Sequence, residues 1–216
     1  MSFKIDLHAH SHFSGDNNAD PEEIVIEAIR KKLDGMAFTE HYSYGASEHA
    51  ERLKEKYKDV IKIFRGVEFS ALEGHCLVFG VDTDKLLQKH TPIVDVIKSV
   101  NYLGGVVIPS HPYRKVNSLD DIVFKLSGIC AIEGYNGCNM QAYNLKAVEA
   151  AKRIGCPFTG GSDAHYPSEI GSCYTEFYEE VTHENLVSLL KLGLYTGKDT
   201  RKISKTTIDY MNKWFV

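Results

Sequence analysis

Two histidines stand two residues apart near the start of the chain, His8 and His10, and Asp163 and His165 repeat that spacing late in it. On an extended backbone such residues point to one face, so each pair presents its donors together. Between the pairs fall Asp16, Glu40 with His41, Glu68, His75, His111 and Glu133. Imidazole nitrogen and carboxylate oxygen suit zinc, manganese or iron, and no CxxC pair offers a thiolate alternative. A carboxylate such as Glu68 would bridge two neighbouring cations. One HxH pair is as often a hydrogen-bonded structural pair as a chelate. Six histidines and three carboxylates falling at successive strand ends are a different matter, and they predict a metal centre. His12, His49, His90 and His183 lie in polar or helical contexts and receive no role. Glu40 and Glu133 stay open, the first as a ligand or a solvated helix-start residue, the second as a ligand or a group that orients its neighbour.

These residues need elements to hold them. Residues 3–7 alternate as a strand does and break into HAHSHFSGDNN. Asp20 is a good N-cap, Pro21 a good first helical residue and Glu23 a capping-box partner, with Gly35 read as the helix stop. The β-like run and helical pattern then recur. Strands are predicted at residues 36–39, 60–69, 75–81, 106–109, 129–133 and 158–161. Helices are predicted at 47–58, from 91 to 104, at 119–126, 139–154 and 183–190. Six or seven strands alternating with helices predict a single α/β domain with a parallel sheet, a closed barrel or an open doubly wound sheet. Polar chemistry collected at strand ends favours the rim of a barrel, where α/β barrels build their sites.

Composition narrows the function. Twenty-five basic against 29 acidic residues leave a net charge of −4, which gives no reason to expect an extended nucleic-acid groove. No apolar run reaches the ~18 residues of a membrane span. The opening MSFKIDLHAH carries no apolar signal core, and five scattered cysteines are an odd number, so a cytoplasmic chain with reduced thiols is expected.

The ordered motifs DLHAHSHFSGD, TEHY, GVEFS, SHPYR and GSDAH resemble those of the PHP (polymerase and histidinol phosphatase) superfamily across roughly residues 3–195. The resemblance implies a distorted (β/α)7 barrel with two or three divalent metal ions at its C-terminal rim. It implies that His8, His10, Glu68 and Asp163 hold one ion, that Glu68 bridges to a second held by His75 and His111, and that Asp16, His41 and His165 hold a third. Asp16 occupies a slot that histidine fills in some members.

Paired cations lower the pKa of a water toward neutrality and clamp phosphoryl oxygens, so the nucleophile needs no serine or cysteine. Neither GxSxG nor a P-loop is present. The expected function is a metal-dependent phosphoesterase acting on a small phosphorylated substrate, with Glu68, Asp163 and Arg114 as its catalytic residues. Arg114 and Arg65 are both candidate phosphate forks. Rival readings are an exonuclease on short oligonucleotides, a phosphotyrosine phosphatase, a C–N hydrolase and a metal-binding regulatory module without turnover. Substrate choice would reside in loops such as 43–49, 113–118 and 134–141.

Overall fold

The computed structural model of the chain describes residues 2–203. Its strands are β1 (Phe3–Ala9), β2 (Gly35–Phe38), β3 (Lys62–Arg65), β4 (Val67–Ser70), β5 (His75–Phe79), β6 (Val106–Pro109), β7 (Ile132–Asn136), β8 (Phe158–Gly161), β9 (Cys173–Phe177) and β10 (Tyr195–Asp199). The α-helices are α1 (Pro21–Arg30), α2 (His49–Lys56), α3 (Ile93–Tyr102), α4 (Gln141–Ile154) and α5 (Leu186–Leu192). None is long and apolar enough to cross a membrane.

The α/β character is as expected, but the expected run of parallel strands is not. The described strands form three sheets, ordered β10-β9-β1-β2-β3, β4-β5-β6 and β7-β8. Parallel pairing is confined to β1–β2, β2–β3 and β7–β8, whereas β4–β5, β5–β6, β1–β9 and β9–β10 are antiparallel. No continuous ladder closes a barrel among the described residues. Single parallel bridges, Ala9 with Ala164 and His41 with Glu68, link the sheets instead.

The expected strand at 60–69 is two strands in two sheets, broken at Gly66. A Cβ there would lie 2.6 Å from the Phe79 ring and 3.0 Å from the Val78 carbonyl oxygen, so only glycine lets the chain pass that close. β9 and β10 were not predicted, since their buried positions include Thr175 and Gly197 and so break the apolar alternation. α1 begins as read, with Asp20 accepting the Glu22 and Glu23 N–H groups. It stops earlier than read, with Lys32 in the left-handed region at φ 58°, and Gly35 instead opens β2. The 119–126 segment is a 3-10 turn over Asp120–Lys125, and the last helix lies three residues later than expected at its start.

The core accounts for the helices. α1 buries Ile24, Val25 and Ala28 against Met36 and Phe38 of β2, while α3 buries Val96, Ile97 and Val100 beneath β4–β6. Packing of these faces fixes the strand ends, and the strand ends carry the polar cluster.

Candidate metal centre

β1 sends His8 inward from its buried run and His10 from the residue after its end, and their Nε2 atoms approach to 3.0 Å. Glu68 projects from β4 into the same space. Its Oε1 lies 2.6 Å from His111 Nε2, 3.2 Å from His75 Nδ1 and 3.6 Å from His8 Nε2. Its Oε2 lies 3.0 Å from His41 Nδ1 and 3.5 Å from His10 Nε2. Asp163 completes the inner group, with Oδ1 3.2 Å from His10 Nε2 and 3.4 Å from His8 Nε2. His75 sits at the start rather than the end of its strand. Antiparallel pairing places it opposite Ser70, so the β4–β5 hairpin returns it to the rim only a few residues after Glu68.

Three groups could each hold a cation: His8, His10, Glu68 and Asp163; His41, Glu68 and His75; and His10, His41 and His165. The first is the expected inner set. The second brings together Glu68 and His75 as expected, with His111 on the same carboxylate and His41 as an added donor. The third contains two expected members, and the expected Asp16 carboxylate lies 3.0 Å from His41 Nε2 and 3.2 Å from His165 Nε2. His41 thus stands between the second and third groups, with one ring nitrogen toward each.

Hydrogen bonds around the cluster determine which nitrogen each ring offers. His8 Nδ1 is 2.8 Å from Glu133 Oε1, so the carboxylate accepts the Nδ1–H and the ring turns Nε2 to the centre. Ser14 Oγ gives its one proton to Glu40, so it can only accept from His10 Nδ1, 2.9 Å away, and His10 also presents Nε2. His165 Nδ1 donates to the Asp163 carbonyl oxygen at 2.8 Å and leaves Nε2 free. Ser70 Oγ meets His75 Nε2 at 3.2 Å, and that ring offers Nδ1.

The residues fit divalent cations by a further criterion. His41 Nδ1, His75 Nδ1, Glu68 Oε2 and Asp163 Oδ1 are all buried, face the cluster and have no hydrogen-bond partner. Buried polar atoms are normally satisfied, and four that lie 3.0–3.2 Å from other atoms of the cluster without aligned hydrogen bonds are placed as a cation's ligands would be. Asp163 divides its two oxygens accordingly, since Oδ2 accepts from Arg114 Nη1 and Asn136 Nδ2, each at 3.1 Å, while Oδ1 stays open.

Electrostatics agree. Burial alone would push His8 down, but Asp163, Glu133 and Glu68 override it and hold the imidazole well above its usual range. Burial would likewise raise Glu68 and Asp163, yet the surrounding histidines keep both well below the usual carboxylate range. His10 goes the other way: burial lowers it to about 4, helped by the neighbouring His8 and His41. The cluster holds charged carboxylates beside at least one proton that a cation can replace.

Backbone strain marks the same place. His111 and Asp163 occupy the left-handed region at φ 30° and 53°, which costs a non-glycine residue about 1–3 kcal/mol. Both are pinned: the His111 N–H donates to Glu133 Oε2 at 2.8 Å, and the Asp163 N–H donates to the His8 carbonyl oxygen at 2.7 Å. Gly161 lets β8 come this close, because a Cβ there would lie 2.4 Å from His8 Cβ.

Arg114, expected as a phosphate fork, lies beside the centre with its Nη1 3.1 Å from Asp163 Oδ2. Arg65 does not. It ends β3 with its guanidinium over the Tyr44 ring, donating to the Tyr44 carbonyl oxygen and near Glu51, so it is no phosphate fork. Glu133 is hydrogen-bonded to His8 Nδ1 and the His111 N–H, and Glu40 is buried and held by Ser11 and Ser14, neither being among the three ligand groups. The sequence reading missed Ser14, Ser110 (whose hydroxyl donates to Glu68 at 2.9 Å) and Asn136. Their only signal was nearness to a ligand in sequence.

The PHP domain family matches residues 6–120 and the PHP-associated family matches residues 141–194. A histidinol-phosphatase of Lactococcus lactis is 33% identical over 117 residues, spanning 49% of this chain and 42% of that protein. A protein of Caldicellulosiruptor bescii named "Probable phosphatase" is 24% identical, across 92% of this chain and 99% of that one. The crystal structure of PsfC from Pseudomonas syringae PB-5123 aligns with a TM-score of 0.69 over 98% of this chain and 96% of that chain, at 16% identity, a likeness of fold. With the PHP domain matched over more than half of its length, this chain belongs to the PHP-domain family.

Proposed function

We propose that the protein is a metal-dependent phosphoesterase that hydrolyses a phosphomonoester or small phosphodiester. The reading rests on one observation. Four buried ligand atoms without aligned hydrogen bonds, one of them Glu68 Oε2, converge in one space, and an arginine stands on the far oxygen of the same aspartate that closes the group. Two phosphatase relatives support it.

Zinc, manganese or iron would be held by His8, His10, Glu68 and Asp163, with His75, His41 and His111 on the second side of Glu68 and Asp16 and His165 beyond. Such cations supply a water that ionises near neutral pH and positive charge for phosphoryl oxygens. The chain's own residues do the rest. Glu133 and the Glu40–Ser14 pair fix the tautomers of His8 and His10, so the centre is organised before substrate arrives. The Arg114 guanidinium, one quarter exposed, presents a planar fork to two phosphoryl oxygens from outside the cluster. Ser110 and His111 hold Glu68 Oε1, leaving Oε2 facing the centre.

A screen of phosphorylated metabolites, nucleotides, phosphotyrosine and short oligonucleotides with added manganese or zinc tests the proposal. Turnover of monoesters that is lost with chelator supports it. Turnover confined to oligonucleotides would favour the exonuclease reading, and no hydrolysis of any phosphoester at full metal occupancy would favour a non-catalytic module.

A further inference from the structure

Beside the centre, on the His75 side, lies a cavity of about 200 Å³ that the metal cluster does not use. A cavity of roughly 150 Å³ holds a benzene ring, so this one has room for the body of a small leaving group. Its walls come from three loops tied to one another. The Leu72 N–H donates to the Thr91 carbonyl oxygen at 3.1 Å, and the His75 N–H donates to the Asn117 carbonyl oxygen at 3.1 Å. Tyr42, the residue after His41, forms another wall, with its ring 5.4 Å from the His41 ring. Above Tyr42 sits Lys89, its ammonium 3.9 Å from the ring centroid.

That lysine is the notable group. Among the described residues no carboxylate pairs with it, and the ring beneath holds it at the mouth. The one carboxylate in the wall, Glu73, turns Oε2 to the Ile93 N–H at the start of α3 at 2.8 Å and forms no ion pair with Lys89. A cavity that shares His75 with the centre and has an unpaired cation at its edge is suited to a leaving group with an anionic end.

Building on the phosphoesterase reading, we infer that this cavity is the leaving-group subsite, and that Lys89 selects phosphomonoesters whose leaving group carries a second anionic group. The phosphoryl group lies at the metal cluster and Arg114, and the remainder of the substrate extends past His75 between Tyr42 and Leu72 toward Lys89.

The test compares phenyl phosphate, 4-carboxyphenyl phosphate and 1,4-phenylene bisphosphate on the metal-loaded enzyme, on Lys89→Ala and on Lys89→Glu. The readout is the ratio of kcat/KM for each doubly anionic substrate to that for phenyl phosphate, which cancels any general loss of folded enzyme. Wild type is expected to favour at least one doubly anionic substrate roughly tenfold, the scale of one charge-assisted contact. Which of the two gains more tells a carboxylate from a phosphate as the anchored group. Lys89→Ala should bring the ratio near one and Lys89→Glu should invert it. A wild-type ratio near one, or a ratio that Lys89→Glu leaves unmoved, overturns the subsite while phenyl phosphate turnover keeps the phosphoesterase reading standing. Hydrolysis of none of the three by wild type overturns the subsite, and the wider phosphoester screen then decides the phosphoesterase reading.

Discussion

The inner and outer halves of the metal cluster use the same residue types under opposite conditions. His8, His10 and Glu68 are wholly buried and Asp163 is 1% exposed, whereas the outer side chains are 42% exposed at Asp16, 26% at His165 and 11% at His41. The inner group has two carboxylates, rings locked by Glu133 and by Ser14 with Glu40, and strained backbone held at Asp163. The outer group has one carboxylate, Asp16, on an exposed stretch of its loop. Low dielectric strengthens the inner attraction to a cation, while solvent screens the outer. The difference predicts that the rim would hold one cation tightly at the inner group and another exchangeably at the outer one, without changing ligand chemistry.

The sharpest way to break this contrast is to remove an inner ligand. Asp163→Ala and His8→Ala should lose activity by orders of magnitude and release about one cation per chain, while the apolar core that α1 and α3 build stays intact. Elemental analysis and kcat, with circular dichroism as a check on folding, decide it. Wild-type turnover in either variant would remove the inner group from the mechanism.

Arg114 comes next. Arg114→Lys keeps the charge but loses the fork, and should lower kcat/KM by the equivalent of about 1–3 kcal/mol with metal content unchanged. Equal kinetics in the variant would leave the phosphate without this anchor.

Glu133→Gln weakens the inner group and leaves the outer one untouched, since Glu133 contacts His8, the His111 N–H and Asn136. Metal affinity at the tightest site should fall roughly tenfold to a hundredfold. Competition with a chromogenic chelator measures it, and a loss confined to the weakest site would reverse the assignment.

The smallest effect is a pH dependence. His8 is raised in the metal-free protein, so its proton stabilises the fold at pH values below the ordinary histidine value, and that contribution is lost as pH rises through the raised one. A bound cation takes the proton's place and binds better as pH rises. The gain in Tm on adding zinc should therefore be larger at pH 8 than at pH 6. A gain that shrinks with rising pH would contradict the charge balance drawn for the inner group.

Much of the inner group was legible in the sequence because its ligands sit in three short motifs, and the period of two in His8 and His10 with the polar break after β1 is a local signal. The tautomer-setting contacts were not legible. Glu133 reaches His8 across 125 positions and Glu40 reaches Ser14 across 26, and no local pattern marks either pairing. The break at Gly66 was hidden for a related reason: it depends on the Phe79 ring from another strand. Arg65 looked equal to Arg114 by spacing from a ligand, yet the break after β3 turns it toward Tyr44. Lys89 carried no signal, since its place follows from how three loops pack.

The central claim is that the inner group fills first and holds the resident cation. Crystals of metal-free protein soaked in less than one equivalent of zinc or manganese, and mapped by anomalous scattering, test it most directly. The account predicts a single strong peak among His8, His10, Glu68 and Asp163, with density at Asp16, His41 and His165 only at excess metal. A first peak at the outer residues, with the inner group empty, would contradict it.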